Sequence, residues 1–264
     1  SRQRNNAVGA FPMTITAPMA STTVDGKFSV PATRAMCVGP EDVEFVMGGV
    51  AQAIAIEAAE MATNKPMLWS TIQFNAAARN HQLIDVDTSL QSGGNSLSQV
   101  RLDISADGKP VQSMFAALGA RPGNSRQFIR MPKVDSPKNC PKKDDPLIQT
   151  DGNLICEFDR RTALEDPDAG LEYMWIKPIR DIPITSGLLA LTSDFMLGAH
   201  RNTRGGTSLD NTLRIFSVEP TDWILCVTQM SGFREGVAMG VTHQFTEEGR
   251  LLSTSSQTGL LPRR

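Results

Sequence analysis

Residues 47–62, MGGVAQAIAIEAAEMA, place the tightest constraint on what this chain can fold into. At about 100° per residue, Gln52, Glu57 and Glu60 gather in a sector of roughly 140°, and valine, isoleucine and alanine fill most of the remaining circumference. A helix apolar over so much of its surface must be enclosed. Four segments of strand character come after it, at residues 67–75, 83–91, 96–106 and 111–117. An antiparallel sheet wrapped around one long helix is the simplest arrangement that buries both. The leading pair Gly48 and Gly49 lets other backbone come close.

The order of the remaining segments points to a repeat. Short strands at residues 26–30 and 35–38 lead to a turn at residues 40–42, and Asp42 and Glu44 then precede the positive end of the helix. After the strands, Ala106, Asp107, Gly108 and Lys109 carry the Asp-Gly signal of a tight hairpin. Residues 121–146 change character, with prolines at 122, 132, 137, 141 and 146 and the charged run Lys142, Lys143, Asp144, Asp145. They read as a linker with solvated charge. Beyond it come a strand at 173–179, a second helix at 187–200, four more strands and a second hairpin at Glu247, Glu248, Gly249 and Arg250. Gly249 lies 141 residues after Gly108, and this offset aligns Leu68 with Leu209, Thr71 with Thr212, Val86 with Val227 and Val100 with Val241. The chain therefore reads as a tandem pair equivalent to a fused dimer. The expected division is a flexible arm at 1–27, a first unit at 28–120, a linker at 121–170 and a second unit at 171–264.

Composition narrows the partners. The 264 residues are 40% hydrophobic and carry a net charge of −2, which gives no electrostatic case for nucleic acid or an anionic membrane and favours a small-molecule ligand. Cys37, Cys140, Cys156 and Cys226 form no paired or metal-like spacing and read as free thiols of a reducing compartment, hence a cytoplasmic expectation. No apolar run reaches the ~20 residues of a membrane span. The first acidic residue is Asp25, and the hydroxyl-rich leader before it reads as a disordered arm, with a transit-peptide remnant as the alternative.

Chemistry is sought where the two copies differ. At the same offset, Asp210 falls opposite Trp69, Ser231 opposite Leu90 and Gln257 opposite Ala116. The second copy thus has a carboxylate, a hydroxyl and an amide where the first is apolar. A carboxylate can take a proton from water while a hydroxyl and an amide fix the water's direction, which suffices for an electrophilic carbonyl such as a thioester. Backbone N–H groups at the glycine-opened helix end, of Gly49 and Val50, are candidates to stabilise the resulting oxyanion. Each residue also has a plainer reading: Asp210 as a turn or edge residue, Gln257 as part of an exposed polar strand, the glycines as packing positions.

Several short stretches together resemble the acyl-CoA thioesterase II family: Met47-Gly48-Gly49, Gly94-Asn95-Ser96-Leu97-Ser98, Ser193-Asp194-Phe195-Met196-Leu197, Leu209-Asp210-Asn211, Asp222-Trp223-Ile224-Leu225, and Ser256-Gln257-Thr258-Gly259-Leu260-Leu261. The resemblance runs in order over nearly all of the chain after Phe28. It implies a double hotdog fold, α+β in class, in which two antiparallel sheets each wrap a helix and join into one. It also implies hydrolysis of fatty acyl-CoA by an Asp, a Thr or Ser, and a Gln that hold a water, without metal or other cofactor. Those roles carry over to Asp210, Ser231 and Gln257. Two departures stand out. The family's Asp-His-Ser is Asp210-Asn211-Thr212 here, and the loop carrying Ser231 is about two residues shorter, which leaves Thr228 as the nearest substitute.

Glu57 is the internal rival, because some smaller hotdog thioesterases use a carboxylate on the central helix. His81, His200 and His243 read as turn, helix-end and strand residues. The rival functions are a non-catalytic acyl-CoA-binding module and a hotdog hydratase or dehydratase, the latter lacking a suitably placed histidine and acid. Arg201 and Arg204 are candidates to meet the CoA phosphates, and further pairing into homo-oligomers is expected of such units.

Overall fold

The computed structural model describes residues 20–24, 26–143 and 151–261. The expected arm at 1–27 thus lies mostly outside the described residues, but within it Ala20–Val24 forms an edge strand, β1, paired with β2 (Lys27–Pro31). Cys37–Val38 (β3) and Phe45–Val46 (β4) pair as a small separate ribbon. They lead into α1 (Gly48–Thr63), followed by β5 (Met67–Phe74), β6 (Leu83–Gly93), β7 (Leu97–Ala106) and β8 (Lys109–Gly119). The second unit runs β9 (Phe158–Asp166), β10 (Leu171–Pro178), α2 (Ser186–Ser193), β11 (Thr207–Ile215), β12 (Ile224–Arg234), β13 (Val237–Phe245) and β14 (Leu251–Leu260).

All strands except β3 and β4 join one sheet of twelve, in the order β1-β2-β6-β7-β8-β5-β11-β14-β13-β12-β10-β9, and its pairings are antiparallel. The second half of that order mirrors the first about the β5–β11 pair. There Thr71 stands opposite Thr212 and their hydroxyls meet at 2.8 Å. These two residues are related by the 141-residue offset, so the internal two-fold axis passes between them. β6 and β12, at eleven residues each, map onto one another end to end at the same offset. The Asp107–Gly108 turn has φ of 47° and 74°, both left-handed, as a two-residue hairpin between right-twisted strands requires.

The helices lie on the concave face. In α1 every residue from Gly49 to Ile56 is buried, together with Ala58 and Ala59, which fulfils the expectation of an enclosed helix. Ile54, Ile56, Ile72, Ile84, Leu102, Met114 and Leu118 are among the largest fully buried side chains. The helices cross closely through glycine. A Cβ on Gly49 would lie 2.7 Å from Asp194 Cβ, and one on Gly187 would lie 3.0 Å from Glu57 Oε1.

Two expected boundaries differ. The second helix, expected over 187–200, is α-helical only to Ser193 and then tightens into a 3-10 turn at Asp194–Ala199. The expected linker at 121–170 contains β9, whose Asp159, Arg160, Arg161, Glu165 and Asp166 give it the charged sequence of an edge strand rather than a hydrophobic pattern. Nor is its first part loose. Gln127 Nε2 donates to Gly249 O at 3.0 Å, Trp175 Nε1 donates to Asp135 O at 2.9 Å, and Met131, Val134 and Cys140 pack on Trp175, Leu225, Phe245 and Leu251. The segment straps the convex face of the second sheet.

Glu57 is largely buried in this core. Burial first, and then Glu60 one turn on, push its carboxyl up to about 8. A carboxyl raised on folding contributes stability that is complete below its unfolded value and is lost as pH rises through about 8. Glu57→Gln is therefore expected to melt several degrees above the wild type at pH 9 and near it at pH 4, read by thermal unfolding across pH.

Candidate active site

The most unusual side chain in the core is Asp194. It stands where α2 gives way to the 3-10 turn, 6% exposed. The turn is set locally by Thr185, whose hydroxyl caps α2 by accepting from Leu188 N at 3.0 Å, and at its far end by Thr192 and Ser193, whose hydroxyls bond back to Leu188 O and Ala190 O. The sheet then holds each of three consecutive residues. Gln244 Nε2 donates to Thr192 Oγ1 at 2.7 Å, Asn211 Nδ2 to Ser193 Oγ at 3.0 Å, and Gln257 Nε2 to Asp194 Oδ1.

Asp194 receives two more donors. Gly49 N–H, from the N-terminus of α1, reaches Oδ2 at 2.6 Å, and Ser208 Oγ reaches Oδ1 at 3.2 Å. Gln257 Nε2 also meets Ser208 Oγ at 2.7 Å, which closes a carboxylate, hydroxyl and amide triangle built from α2, β11 and β14. Burial pushes the Asp194 carboxyl up to about 6, against the opposing pull of Gly49, Gln257 and Ser208. Such a group ionises near neutrality with its donors already in place, as a general base requires. Phe74 and Gly48 border it: a Cβ on Gly48 would lie 3.0 Å from Asp194 Oδ2 and 2.9 Å from Phe74 Cζ.

Of the residues expected from the sequence, the structure brings Gln257 to this site and does not bring Asp210 or Ser231. The reason is a bulge. Ser208 pairs with Gly259 and Asp210 with Thr258, leaving Leu209 as the extra residue in β11. Strict alternation would put Ser208 and Asp210 on one face. The bulge instead turns Ser208 inward with Asn211 and Leu213, while Asp210 joins Thr258 on the convex side and accepts from its N–H at 2.9 Å. Ser231 is itself the bulged residue of β12, exposed and two strands from β14. Thr228 does face inward, but its hydroxyl is paired with Thr242 at 3.0 Å.

The other expectations also have definite places. Gly49 N–H lies at the site, whereas Val50 N–H is bonded to Met47 O at 3.0 Å. Asp42 and Glu44 do not serve the N-terminus of α1. Glu44 bonds Asn80, and the acid that serves that terminus is Asp194 from the other unit. Glu57 lies eight residues along α1 from Gly49, roughly 12 Å, beside the N-terminus of α2. Arg204 bonds Gly198 O at 3.3 Å and approaches Glu165, and Arg201 is exposed. His200 accepts from Asn202 N and bonds Pro167 O, and His243 meets Thr254.

Sequence reasoning missed Asp194 and Ser208, although the signal was present. The offset that sets Gln257 against Ala116 also sets Ser208 against Met67 and Asp194 against Ala53.

Comparison with known proteins points to thioesterases. Residues 137–261 match the family model of the acyl-CoA thioesterase C-terminal domain, a stretch that contains Asp194, Ser208 and Gln257. A protein from Novosphingobium aromaticivorans DSM 12444, provisionally described as a thioesterase, is 28% identical, with a TM-score of 0.86 over 91% of this chain and 97% of that one. An acyl-CoA thioesterase II, TesB2, from Mycobacterium marinum is 19% identical with a TM-score of 0.74 over 92% and 96%. A hot dog protein of unknown function from Alicyclobacillus acidocaldarius is also 19% identical, with a TM-score of 0.80 over 92% and 96%. No curated protein sequence matches the chain. The chain has the double hotdog fold, and its residues 137–261 match the acyl-CoA thioesterase C-terminal domain, the mark of a thioester hydrolase.

Close packing at the site gives a direct test. Gly49→Ala would set its Cβ 2.7 Å from Asp194 Cβ and 2.8 Å from Leu191 O. It is expected to cost about 1–3 kcal/mol in denaturant unfolding, whereas Gly123→Ala, with nothing within 4 Å, stays near wild type.

Proposed function

We propose that this chain hydrolyses fatty acyl-CoA to free acid and CoA, with Asp194 as the base that activates water and Ser208 and Gln257 as the groups that hold it. The observation that carries the reading is the burial of Asp194 between a helix N-terminus and the Ser208–Gln257 pair. Desolvating a carboxyl is costly, and the three donors at Asp194 offset part of that cost while leaving the group able to take up a proton.

In this reading a water beside Asp194 Oδ1 gives its proton to the carboxylate as its oxygen attacks the thioester carbonyl. The developing oxyanion lies toward the N-terminus of α1, where Gly49 N–H can turn from Asp194 to the substrate, aided by the helix dipole. Collapse of the intermediate breaks the C–S bond, and Asp194 returns the proton to the departing CoA sulfur. Atoms and charge balance without a covalent enzyme intermediate. Met196, Leu197, Met230 and Ala238 form a small apolar cluster next to the site, and Met196 Sδ lies 2.9 Å from where a Cβ on Gly240, the partner of Gln257, would be. These residues offer an apolar wall for the first carbons of the acyl chain.

The test is release of CoA thiol from short, medium and long acyl-CoAs. Asp194→Asn is expected to lose about 10²–10⁴ in kcat while still binding acyl-CoA, and Asp210→Asn to keep wild-type turnover. The reverse result would return the chemistry to the convex face. A folded wild type that binds acyl-CoA and hydrolyses none would make the chain a binding module.

Because the base must be ionised, kcat is expected to fall with falling pH below about 6, where Asp194 takes up its proton, and to level off above it. The same raised carboxyl makes folding stability decrease as pH rises through that value, so activity and stability change in opposite directions there. Thermal melts and kcat measured on the same pH series check this.

A further inference from the structure

Each helix has an amide–hydroxyl hydrogen bond to its own central strand, the two bonds are copies of each other, and Gln52 Nε2 also reaches Asn211 O across the units at 3.5 Å. In the first unit Gln52 Nε2 donates to Ser70 Oγ at 3.1 Å, and in the second Asn211 Nδ2 donates to Ser193 Oγ at 3.0 Å. Both bonds span 18 residues, and the 141-residue offset carries Gln52 onto Ser193 and Ser70 onto Asn211, with amide and hydroxyl exchanged. All four side chains are buried, none more than 1% exposed. The two clasps differ in the residue that comes next on the helix: Ala53 after Gln52, and Asp194 after Ser193.

Asn211 has a second tie to the site. It stands directly opposite Gln257 in the β11–β14 register, with both side chains on the concave face. Each uses its NH2 group on neighbouring residues of the 3-10 turn, Asn211 on Ser193 and Gln257 on Asp194. The remaining amide oxygens, Asn211 Oδ1 and Gln257 Oε1, are both buried and have no partner among the described residues. Facing residues on one side of an antiparallel pair have Cβ atoms about 4.5–5.5 Å apart, so one water can give a proton to each oxygen.

We infer that Asn211 is a positioning residue of this site, its amide NH2 fixing Ser193 and hence Asp194, and its carbonyl oxygen sharing an internal water with Gln257. The inference rests on the reading of Asp194 as the base. Asn211 acts through other residues and does not meet the reacting atoms. A clasp that merely secures a helix in the first unit has, in the second, come to aim the carboxylate.

The test tracks the Asp194 carboxyl by ¹³C NMR titration, its signal assigned with Asp194→Asn, beside kcat and KM for Asn211→Leu, Asn211→Asp and Ser70→Ala. The groups facing Asp194 are Gly49 N–H from α1, Ser208 from β11 and Gln257 from β14, none of them titratable. A new carboxylate in Asn211→Asp is therefore expected to raise the Asp194 titration by about one pH unit. Asn211→Leu, which unpins the turn, is expected to raise it too and to lower kcat about 10- to 100-fold with little change in KM. Ser70→Ala loses stability through the sister clasp and keeps both the titration and kcat.

A folded Asn211→Leu protein with a wild-type Asp194 titration and kcat would overturn the inference, since a purely structural clasp predicts that result, and so would Asn211→Asp with no shift, since the new charge would then not face Asp194. Asn211→Asp keeps the shape of the residue and serves if the leucine variant does not fold. The titration is read whether or not the protein turns over acyl-CoA. Full activity in Asp194→Asn would sink the catalytic reading and leave this outcome separately visible.

Discussion

The pairing of β5 with β11 is the interaction on which the rest of the molecule depends. Each unit alone would have a curved sheet with an unpaired central edge and a helix with one side uncovered, two liabilities of the same kind. Joining the edges about the Thr71–Thr212 pair satisfies the backbone of both strands and brings the two helices together on the shared concave face. Glycine at the helix openings permits that contact, because the N-terminus of α1 then touches Leu191 and Asp194 of α2. The same geometry delivers an N–H donor of one unit to a carboxylate of the other. The site is thus a product of the fusion and is absent from either unit by itself.

Two-fold symmetry would set Ala53, the offset partner of Asp194, against the start of α2, but the carboxylate that meets that helix is Glu57, one turn further along α1. Asp194 stands against Gly49 at the start of α1, and Glu57 stands against Gly187 at the start of α2. The surroundings separate them. Asp194 has three donors on its two oxygens from Gly49, Ser208 and Gln257, which favour the anion and partly oppose its burial. Glu57 Oε1 has no partner among the described residues, and burial first, then the like charge of Glu60, hold its carboxyl protonated to higher pH. A carboxylic acid that keeps its proton to about 8 cannot accept one from water at neutral pH.

Much of this fold can be read from the chain because its signals are local and repeat. The enclosed α1, the Asp107–Gly108 turn and the 141-residue spacing each rest on side-chain period or turn chemistry, and all reappear in the structure. The two-fold axis falls between residues that the offset aligns. The site is less legible, for two reasons of geometry. Bulges at Leu209 and Ser231 break the alternation on which a residue's face is inferred, so alternation alone puts Asp210 on the wrong side of β11 and Ser231 at a position it leaves. Asp194 sits where a helix changes its winding, and helical periodicity run unbroken to residue 200 makes it one polar residue among several. Gln257 is legible because β14 is regular around it. Strand β9 is not, because its charge pattern, suited to an edge, resembles that of a loop.

The buried polar residues of the second unit obey the same logic. Thr192, Ser193 and Asp194 are each bonded to a different strand, by Gln244, Asn211 and Gln257, at the point where α2 becomes 3-10. Apolar contacts could cover this turn, but they fix direction poorly, since a leucine or methionine tolerates small rotations with little loss. Hydrogen bonds to three strands set the rotation of the turn and therefore the heading of Asp194. The cost is a set of buried amides that must find partners, and two of their oxygens, on Asn211 and Gln257, have none among the described residues. In the first unit, where no carboxylate needs aiming, α1 continues as a regular helix through the equivalent stretch and a single polar clasp suffices. The extra polar ties in one copy thus mark where direction matters beyond burial.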